Sequence, residues 1–250
     1  MAIPGYRVGL ACLAAAGSVA LAVTLADPAL AAAASPAASP AAHSSFPHYD
    51  HARHSDQIWG GYADTGARFT SISGSWTVPT LNCSAVPNSS VSPWIGIDGY
   101  DSDTVEQIGF DQDCENGVAG YYPWVEMYPA DSIYFTDTVK AGDTITASVS
   151  VSGSSWTLTE KDTTRGWSKT FHETGSDQLS SAEAIVEDLG NGIGPVAPFG
   201  SVTFTGLTAD GKPLASAGTV NSTNIERGNT PLTKNSSLSG GTFKLSWLHS

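Results

Sequence analysis

The sequence predicts an all-β protein built as one large sandwich of antiparallel strands. Of its 250 residues, 40% are hydrophobic and only 14% are charged, so the chain has enough apolar material for a sizeable core. Short runs of Val, Ile, Thr and aromatic residues alternate with Gly, Asn, Asp, Ser and Pro from about residue 57 onward. This part of the sequence shows no helical periodicity of useful length and no repeat at a fixed spacing. The pattern therefore favours a single large β-domain over a helical bundle or a repeat protein.

The first 31 residues have the pattern of a secretory signal peptide. Arg7 is the only charge among the first 26 residues, and residues 9–26 form an unbroken run of small and apolar side chains. The segment Ala29-Leu30-Ala31 then provides the small-x-small pattern that signal peptidase cleaves. An uncleaved membrane anchor is the alternative, because the run approaches a spanning length. We expect a secreted, extracellular protein that has no membrane segment once the signal, with Cys12, is removed.

Residues 32–56 are expected to form a low-complexity linker or pro-segment ahead of a single domain at 57–250. The stretch 32–45 is Ala, Ser and Pro with one His. Four of the six histidines of the chain follow one another closely here: His43, His48, His51 and His54. A metal site is one interpretation of this cluster, but nothing nearby fixes ligand geometry, so an arm without metal is preferred. Protonation of these histidines in acid is a hypothesis for releasing the arm.

The net charge of the chain limits its possible partners, and its cysteines indicate a possible disulfide. Lys and Arg total 11 against 24 Asp and Glu, a net charge of −13 that repels phosphate and argues against nucleic acid as a partner. In an exported protein Cys83 and Cys114 are expected to form a disulfide. Two separate buried thiols are the alternative, and spacing alone does not decide between them.

Four predicted strands each carry one apolar face and one face of aromatic, acidic and amide side chains. This follows from parity, because alternate residues of a strand point to opposite sides of the sheet. The second face collects Trp94, Gly96 and Asp98, then Gln107, Gly109 and Asp111, then Trp124, Glu126 and Tyr128, and finally Glu183, Ile185 and Glu187. Flat aromatic walls, glycines and a few carboxyls are typical of a substrate groove. An outer face decorated by aromatic cross-strand pairs is the alternative.

Several reaction classes do not fit these residues. No Gly-x-Ser-x-Gly motif is present, and only His172 and His249 remain after the export signal and arm. The pair His172-Glu173 lacks the second histidine of a zinc hydrolase, so no metal is expected. The Asp64-Thr65-Gly66 match to aspartic proteases has no second copy and is better interpreted as a turn between the first two strands. Carboxyl chemistry is left as the best candidate.

A glycosidase is the first candidate for such chemistry, because two carboxyls facing a groove are its usual catalytic pair. Glu183 and Glu187 share a face but lie about 13 Å apart along a regular strand, which exceeds even the separation of an inverting enzyme. A glycosidase would therefore need Glu126 paired with one of them.

The chain resembles the glutamic peptidases, or eqolisins, over residues 57–250. The resemblance is carried by segments in the same order and at similar spacing: Trp59-Gly60-Gly61, Trp94-Ile95-Gly96-Ile97-Asp98-Gly99, Gln107-Ile108-Gly109-Phe110-Asp111, Trp124-Val125-Glu126-Met127-Tyr128-Pro129, Ala182-Glu183-Ala184-Ile185-Val186-Glu187-Asp188 and Val196-Ala197-Pro198-Phe199. Val125 and Met127 stand where that family usually has aromatic residues. The chain is thus similar to a secreted, bacterial-type member of this family.

The resemblance implies a concanavalin-like sandwich of two antiparallel sheets whose concave sheet forms the substrate groove. It also implies an acid endopeptidase, insensitive to pepstatin and free of cofactors, acting as a monomer on protein or peptide substrates. Gln107 and Glu187 match the catalytic pair of that family. The residues that match groove and support positions are Trp59, Trp94, Asp98, Asp111, Glu126, Tyr128 and Glu183.

The chemistry of the two matched residues suits peptide hydrolysis in acid. The neutral amide of Gln107 can donate a hydrogen bond to a developing oxyanion at any pH. Glu187 can take a proton from water and return it to the leaving amine. Residues 98–143 carry eleven acidic residues and one basic residue, and protonating many of these acids relieves their repulsion. A non-catalytic sandwich that binds carbohydrate or peptide with the same face is the remaining alternative.

Overall fold

The computed structural model describes residues 57–190, 192 and 194–250, which contain seventeen strands. The predicted signal peptide, the linker and the histidine cluster lie outside these residues. In chain order the strands are β1 (Trp59–Thr65), β2 (Ser71–Thr77), β3 (Ser89–Ile97), β4 (Val105–Glu115), β5 (Val118–Tyr128), β6 (Ile133–Tyr134), β7 (Thr144–Ser152), β8 (Ser155–Asp162), β9 (Trp167–Thr174), β10 (Ser181–Glu187), β11 (Ser201–Ala209), β12 (Lys212–Pro213), β13 (Thr219–Thr223), β14 (Glu226–Arg227), β15 (Thr230–Pro231), β16 (Thr233–Asn235) and β17 (Phe243–Trp247). Within this part of the chain the only helix is a 3₁₀ turn, Leu214–Ser216, and no helix is long and apolar enough to cross a membrane.

Two large antiparallel sheets pack face to face, which confirms the predicted sandwich. Sheet one has the strand order β13-β1-β10-β3-β4-β5-β6, and sheet two has the order β16-β17-β11-β2-β7-β8-β9. The short β12 pairs with β11, and β14 with β15 forms a separate hairpin. In sheet one, β10 lies between β1 and β3, so a late segment of the chain is inserted beside two early ones. This insertion brings Glu187 onto the same sheet as Gln107.

The main core lies between the sheets and is built by alternation. Strands β2, β7 and β8 bury every second residue, as expected of strands with one face in a core and one toward solvent. Trp76 of sheet two stacks on Phe110 of sheet one, with ring centroids 6.1 Å apart, and also packs against Phe204. The Trp76–Phe110 contact joins the two sheets, whereas the Trp76–Phe204 contact lies within sheet two.

The outer face of sheet one is buried as well. Every residue of β3 and of β10 is buried, so these strands are covered on both sides. Ile95 and Ile108 belong to the main core, whereas Trp94, Trp124 and Ile185 form a second apolar cluster. The two faces of these strands thus differ in the way that parity predicts, and the outer face is not an ordinary solvated surface.

One sequence expectation about the first strands is wrong. Asp64 and Thr65 do not form a turn but end β1, and the turn toward β2 begins at Gly66, whose positive φ of 77° favours glycine. The Asp64 side chain is buried, and its Oδ2 accepts a hydrogen bond from the Gly218 amide at 2.9 Å. Burial raises the pKa of this carboxyl to about 6. Asp64 therefore anchors the segment around Gly218 and belongs to no catalytic motif.

The predicted disulfide is confirmed. Cys83 and Cys114 are bonded, with their Cα atoms 5.2 Å apart, and the bond joins the segment before β3 to the end of β4. It closes a loop with a sequence separation of 31 that contains the whole of β3.

Replacing both cysteines by alanine is expected to lower the free energy of unfolding by about 3–4 kcal/mol, because the unfolded chain gains the entropy of the opened loop. Urea denaturation of the double variant and the parent protein, each without added reductant, measures the effect. Equal urea midpoints for the two proteins would show that the crosslink does not stabilise the fold.

Candidate active site

Three rows of opposed residues cross sheet one on its outer face. In the first row, Gly96 of β3 lies between Glu183 of β10 and Gln107 of β4, and Gln107 lies opposite Glu126 of β5. Opposed residues in neighbouring strands point to the same side of a sheet, so these side chains share one face. The second row is Ile185, Trp94, Gly109 and Trp124, and the third places Glu187 between Trp59 and Ser92.

Glu187 ends β10 in an aromatic environment. Its side chain is buried, with 2% exposed, and its Oε2 accepts a hydrogen bond of 3.0 Å from Trp94 Nε1. Trp59 packs edge-on against Trp94, with ring centroids 5.0 Å apart. A hydrogen bond to a carboxylate is stronger than one between neutral groups, so the indole fixes the orientation of this carboxyl group.

The Trp94 indole extends from Glu187 toward Gln107. Its Nε1 edge bonds Glu187, and its opposite edge lies over Gly96. A Cβ at Gly96 would come within 3.1 Å both of Trp94 Cζ3 and of Gln107 Cβ. The absence of a side chain at Gly96 therefore makes space for the Trp94 ring. One rigid ring therefore separates, and aligns, two side chains that come from different strands.

Gln107 is fully buried, and Glu126 orients its amide. The Gln107 Nε2 atom donates to Glu126 Oε2 at 2.5 Å, while Glu126 Oε1 accepts from Ser132 Oγ at 3.1 Å. An amide nitrogen carries two hydrogens, so Glu126 engages one and the second can bind a substrate oxygen. The Gln107 Oε1 atom is also buried and has no hydrogen-bond partner among the residues that the structure describes.

Asp98 supports the face from beyond the end of β3. Parity predicts that Asp98 lines the face, but β3 ends at Ile97 and Asp98 has a positive φ of 67°. Its buried carboxylate accepts hydrogen bonds of 2.7 Å from the amides of Leu179 and Ser180 and one of 2.9 Å from Ser180 Oγ. Asp98 thus ties the end of β3 to the segment that leads into β10, and we infer a support role for it from these contacts.

A second anchor holds the chain just after Glu187. Asp188 is buried, and its carboxylate accepts hydrogen bonds from the amides of Gly190 at 3.0 Å and Gly192 at 3.1 Å. Arg227, from the β14–β15 hairpin, forms an ion pair with Asp188 at 2.8 Å and also donates to the Gly194 carbonyl. Burial raises the pKa of Asp188, and the guanidinium opposes that rise. The end of β10 is therefore held by charge as well as by the sheet.

Glu183 and Glu106 are buried acids near the first row. Burial raises the pKa of Glu183 well above its ordinary value, and the Ser181 hydroxyl and Tyr100 amide only partly oppose the rise. Burial, reinforced by the carboxyls of Asp177 and Asp98, raises the pKa of Glu106 to about 9. Both groups are consequently neutral acids in acidic solution. Glu183 shares the row of Gln107, but the edge of Trp94 over Gly96 lies between them.

Two further predicted residues, Asp111 and Tyr128, lie along the same face. Tyr134 donates a hydrogen bond of 2.6 Å to Asp111 Oδ2. Tyr128 lies opposite Val105 and packs, half-buried, against the cluster that contains Trp59. Within the described residues, no group of three or more His, Cys, Asp or Glu side chains is arranged to hold a metal ion.

Comparison with known proteins identifies the family. The family model of the Peptidase A4 family matches residues 57–247, which include every strand of both sheets. The chain belongs to the Peptidase A4 family. The predicted resemblance to the glutamic peptidases is thereby confirmed, and so is the assignment, at the level of the family, to enzymes that hydrolyse peptide bonds.

Relatives of the Peptidase A4 chain agree with this assignment. Aspergillopepsin-2 from Aspergillus niger is 31% identical over 179 residues, and the match covers 60% of this chain and 63% of that protein. The crystal structure of scytalido-glutamic peptidase with a transition state analog inhibitor has 30% identity and a TM-score of 0.66, covering 77% of this chain and 98% of that one. Aspergilloglutamic peptidase from Aspergillus niger has 34% identity and a TM-score of 0.55, covering 64% and 99%.

Some residues that support this face of the Peptidase A4 chain could not be assigned from the pattern of the four predicted strands. Ser92 accepts a hydrogen bond of 3.1 Å from Trp124 Nε1 and donates one of 3.1 Å to the Phe110 carbonyl, so it fixes the second indole of the face. Parity with Trp94 could have indicated Ser92. Ser132 and Arg227 gave no such signal, because each reaches the face from a loop or hairpin outside the four strands.

Replacing Trp94 by phenylalanine is expected to lower kcat by about 10- to 100-fold, since a hydrogen bond to a charged group contributes about 1.5–3 kcal/mol. KM should change little, because phenylalanine keeps an aromatic ring at this position and only the N–H donor to Glu187 is lost. Trp124→Phe is the matched control, since it removes an indole donor that bonds Ser92 and not Glu187. Steady-state kinetics on one peptide gives kcat for both variants. Equal losses of kcat would show that the hydrogen bond from Trp94 to Glu187 has no particular importance for activity.

Proposed function

We propose that this chain is a secreted acid endopeptidase in which Gln107 and Glu187 act together on the scissile peptide bond. The observation that supports this most is the Trp94 indole, which bonds Glu187 with one edge and lies beside Gln107 with the other. One rigid ring holds both groups on the same face, so they are preorganised before the substrate binds. Such positioning of catalytic groups is a main source of rate enhancement in enzymes. The Gln and Glu also match the dyad that the family resemblance implies.

The proposed reaction begins with a water between the two side chains. As the water oxygen bonds to the carbonyl carbon, Glu187 accepts the water proton and the carbonyl electrons move onto oxygen. The free N–H of Gln107 Nε2 donates to this oxyanion, while Glu126 and Ser132 hold the amide in place. When the carbon–nitrogen bond breaks, Glu187 returns the proton to the leaving amine, so the enzyme ends as it began.

Activity at acidic pH is supported by the use of a glutamate as the general base and by two buried acids in the same sheet. Glutamate side chains in general exchange protons in mildly acidic solution, and no histidine occurs in the strands that form the three rows. The buried Glu106 and Glu183 are neutral in acid and would carry costly charges only at higher pH. The disulfide is compatible with export to an oxidising compartment.

The experiment that separates this proposal from its alternatives is a paired turnover assay at about pH 3–4, where glutamate carboxyls titrate. Casein and soluble polysaccharides are offered to the purified protein with and without pepstatin. We expect proteolysis that pepstatin does not inhibit and no release of sugar. Release of sugar alone would favour a glycosidase that uses Glu126 and Glu187, and binding without turnover would favour a non-catalytic module.

Replacing Gln107 by alanine is expected to lower kcat by about 10²- to 10³-fold, which is the usual cost of removing one oxyanion donor. Glu126 also loses its amide partner, so Gln107→Met is a useful second variant that keeps the length of the side chain but has no hydrogen-bond donor. The measurement is kcat on a quenched fluorescent peptide. Activity of the alanine variant within a few-fold of the parent would refute the role of Gln107.

A further inference from the structure

The proposed general base lies at the very end of its strand. Glu187 is the last residue of β10, and the Asp188 amide then donates to the Ile58 carbonyl at 2.8 Å. The Gly194 amide donates to the Gly190 carbonyl at 2.8 Å, and a Cβ at Gly190 would lie 2.7 Å from Gly194 Cα. Only glycine permits so close an approach of two backbone segments. The position of Glu187 therefore depends on a tight turn that follows it directly.

Arg227 binds both ends of this turn with a single nitrogen atom. Its Nη2 lies 2.8 Å from Asp188 Oδ2 and also donates to the Gly194 carbonyl. The Asp188 side chain is fully buried, and it accepts hydrogen bonds from the amides of Gly190 and Gly192 within the turn. The guanidinium thus closes from outside a turn that the buried carboxyl organises from inside.

The hairpin that carries Arg227 is itself attached to β1. Glu226, the residue before Arg227, donates its backbone amide to the Gln57 carbonyl at 3.0 Å. Gln57 lies two residues before Trp59, which is opposite Glu187 in the register of β1 and β10. The β14–β15 hairpin therefore joins the end of β10, which carries the base, to the start of β1, which carries one of its aromatic neighbours.

These contacts persist in acidic solution. A guanidinium keeps its charge in proteins at any pH of interest. Burial raises the pKa of Asp188, whereas Arg227 and the glycine amides oppose the rise. The oxygen of a carboxyl group accepts hydrogen bonds in its neutral form as well as in its ionised form. Arg227 can therefore hold Asp188 in either state, and its bond to the Gly194 carbonyl involves no titrating group.

We propose that Arg227 is a positioning residue for peptide hydrolysis, which fixes the end of β10 and thereby holds the Glu187 carboxyl in place relative to Gln107. The inference rests on the proposed function. Trp94 orients the carboxyl group itself, and Arg227 fixes the backbone that carries it. Such support matters because a displacement of about 1 Å between catalytic groups can cost about 10²-fold in rate.

The test compares Arg227→Met, which keeps the length of the side chain but has no donor, with Arg227→Lys. For the methionine variant we expect kcat to fall by about 10- to 100-fold on a quenched fluorescent peptide. KM should stay within about twofold, since the face that binds the peptide is unchanged. The lysine variant should recover kcat to within about fivefold of the parent, because one ammonium can replace contacts that a single nitrogen makes.

Arg165→Met is the matched control. Arg165 also pairs with two buried carboxyls, those of Asp143 and Asp162, but it lies in the turn between β8 and β9 of sheet two. Its loss should lower the urea midpoint and leave kcat at the parental value. Measuring urea midpoints for all three variants separates a loss of rate from a loss of fold.

The outcomes separate this inference from the function on which it rests. With an active parent, a folded Arg227→Met protein whose kcat lies within about threefold of the parental value would overturn the positioning role alone. Equal losses of kcat in Arg227→Met and Arg165→Met would also overturn it, and so would a raised KM at unchanged kcat. A parent that cleaves no peptide would contradict the proposed function and the inference with it. If Arg227→Met does not fold, Arg227→Gln, which keeps one donor group, takes its place in the same comparison.

Discussion

Exchange of Glu187 for glutamine is expected to reduce kcat for peptide hydrolysis by at least about 10³- to 10⁴-fold, which is the upper range for losing a general base. The substitution keeps the shape of the side chain and an oxygen for Trp94 Nε1. It removes the ability to take a proton from water and to return it to the amine. KM should stay within a few-fold, because the face that binds the peptide is unchanged. The measurement is single-turnover cleavage of a quenched peptide.

The matched control for Glu187 is Glu173→Gln, which makes the same change at an exposed position on β9 of sheet two. Its kcat should equal that of the parent. Circular dichroism of both variants establishes that the sandwich is intact. A Glu187→Gln protein that folds and cleaves peptides at more than about a tenth of the parental rate would remove Glu187 from the mechanism.

The free energy of unfolding is expected to fall as pH rises from about 5 to about 8, because buried acids hold protons in the folded state. Burial raises the pKa of Glu106 from 4.5 to about 9 and that of Asp113 from 3.8 to about 8. Burial also raises the pKa of Glu160 and of Glu183 well above the ordinary value. These four carboxyls lie on three strands of the sandwich.

The sign follows from proton binding. A raised folded-state pKa means that the folded protein keeps a proton which the unfolded chain releases once pH passes the ordinary carboxyl value. The stabilisation is therefore complete below about pH 4, declines above it and is lost as pH passes the folded-state pKa. Each such group lowers the free energy of unfolding by up to about 1.4 kcal/mol per pH unit within that window. We expect a loss of about 3 kcal/mol or more in total between pH 5 and pH 8.

Urea denaturation at pH 4, 5, 6, 7 and 8 measures this slope. Glu160→Gln, which replaces a fully buried acid by a neutral side chain of the same shape, should make the slope shallower. Glu173→Gln, at its exposed position, should leave the slope as it is. A midpoint that is constant or rises between pH 5 and pH 8 would contradict the account of acid stability.

Much of the site follows from local pattern, and the rest depends on packing between distant segments. Parity alone placed Gln107, Glu126 and Glu187 on the faces of their strands that lie opposite the apolar core faces, because side chains alternate along any regular strand. The same rule does not extend to Asp98, because parity holds only within a strand and β3 ends one residue earlier, at Ile97. A positive φ there turns the carboxylate toward the amides of Leu179 and Ser180.

Contacts between distant segments could not be predicted in this way. The order β1-β10-β3 depends on how the whole chain packs, and it alone makes Trp94 a neighbour of Glu187. The ion pair of Arg227 with Asp188 likewise joins a short late hairpin to the end of β10. The family resemblance supplied the pairing of Gln107 with Glu187, which parity left open because it specifies faces and not neighbours.

The most direct test of the proposed dyad is a crystal structure of this protein with a peptide-based transition-state analogue. We expect the tetrahedral oxygens of the analogue to lie within about 3.2 Å of both Gln107 Nε2 and the Glu187 carboxylate, with Trp94 still bonded to Glu187. An analogue that contacts only one of the two side chains, or that binds away from the outer face of sheet one, would contradict it.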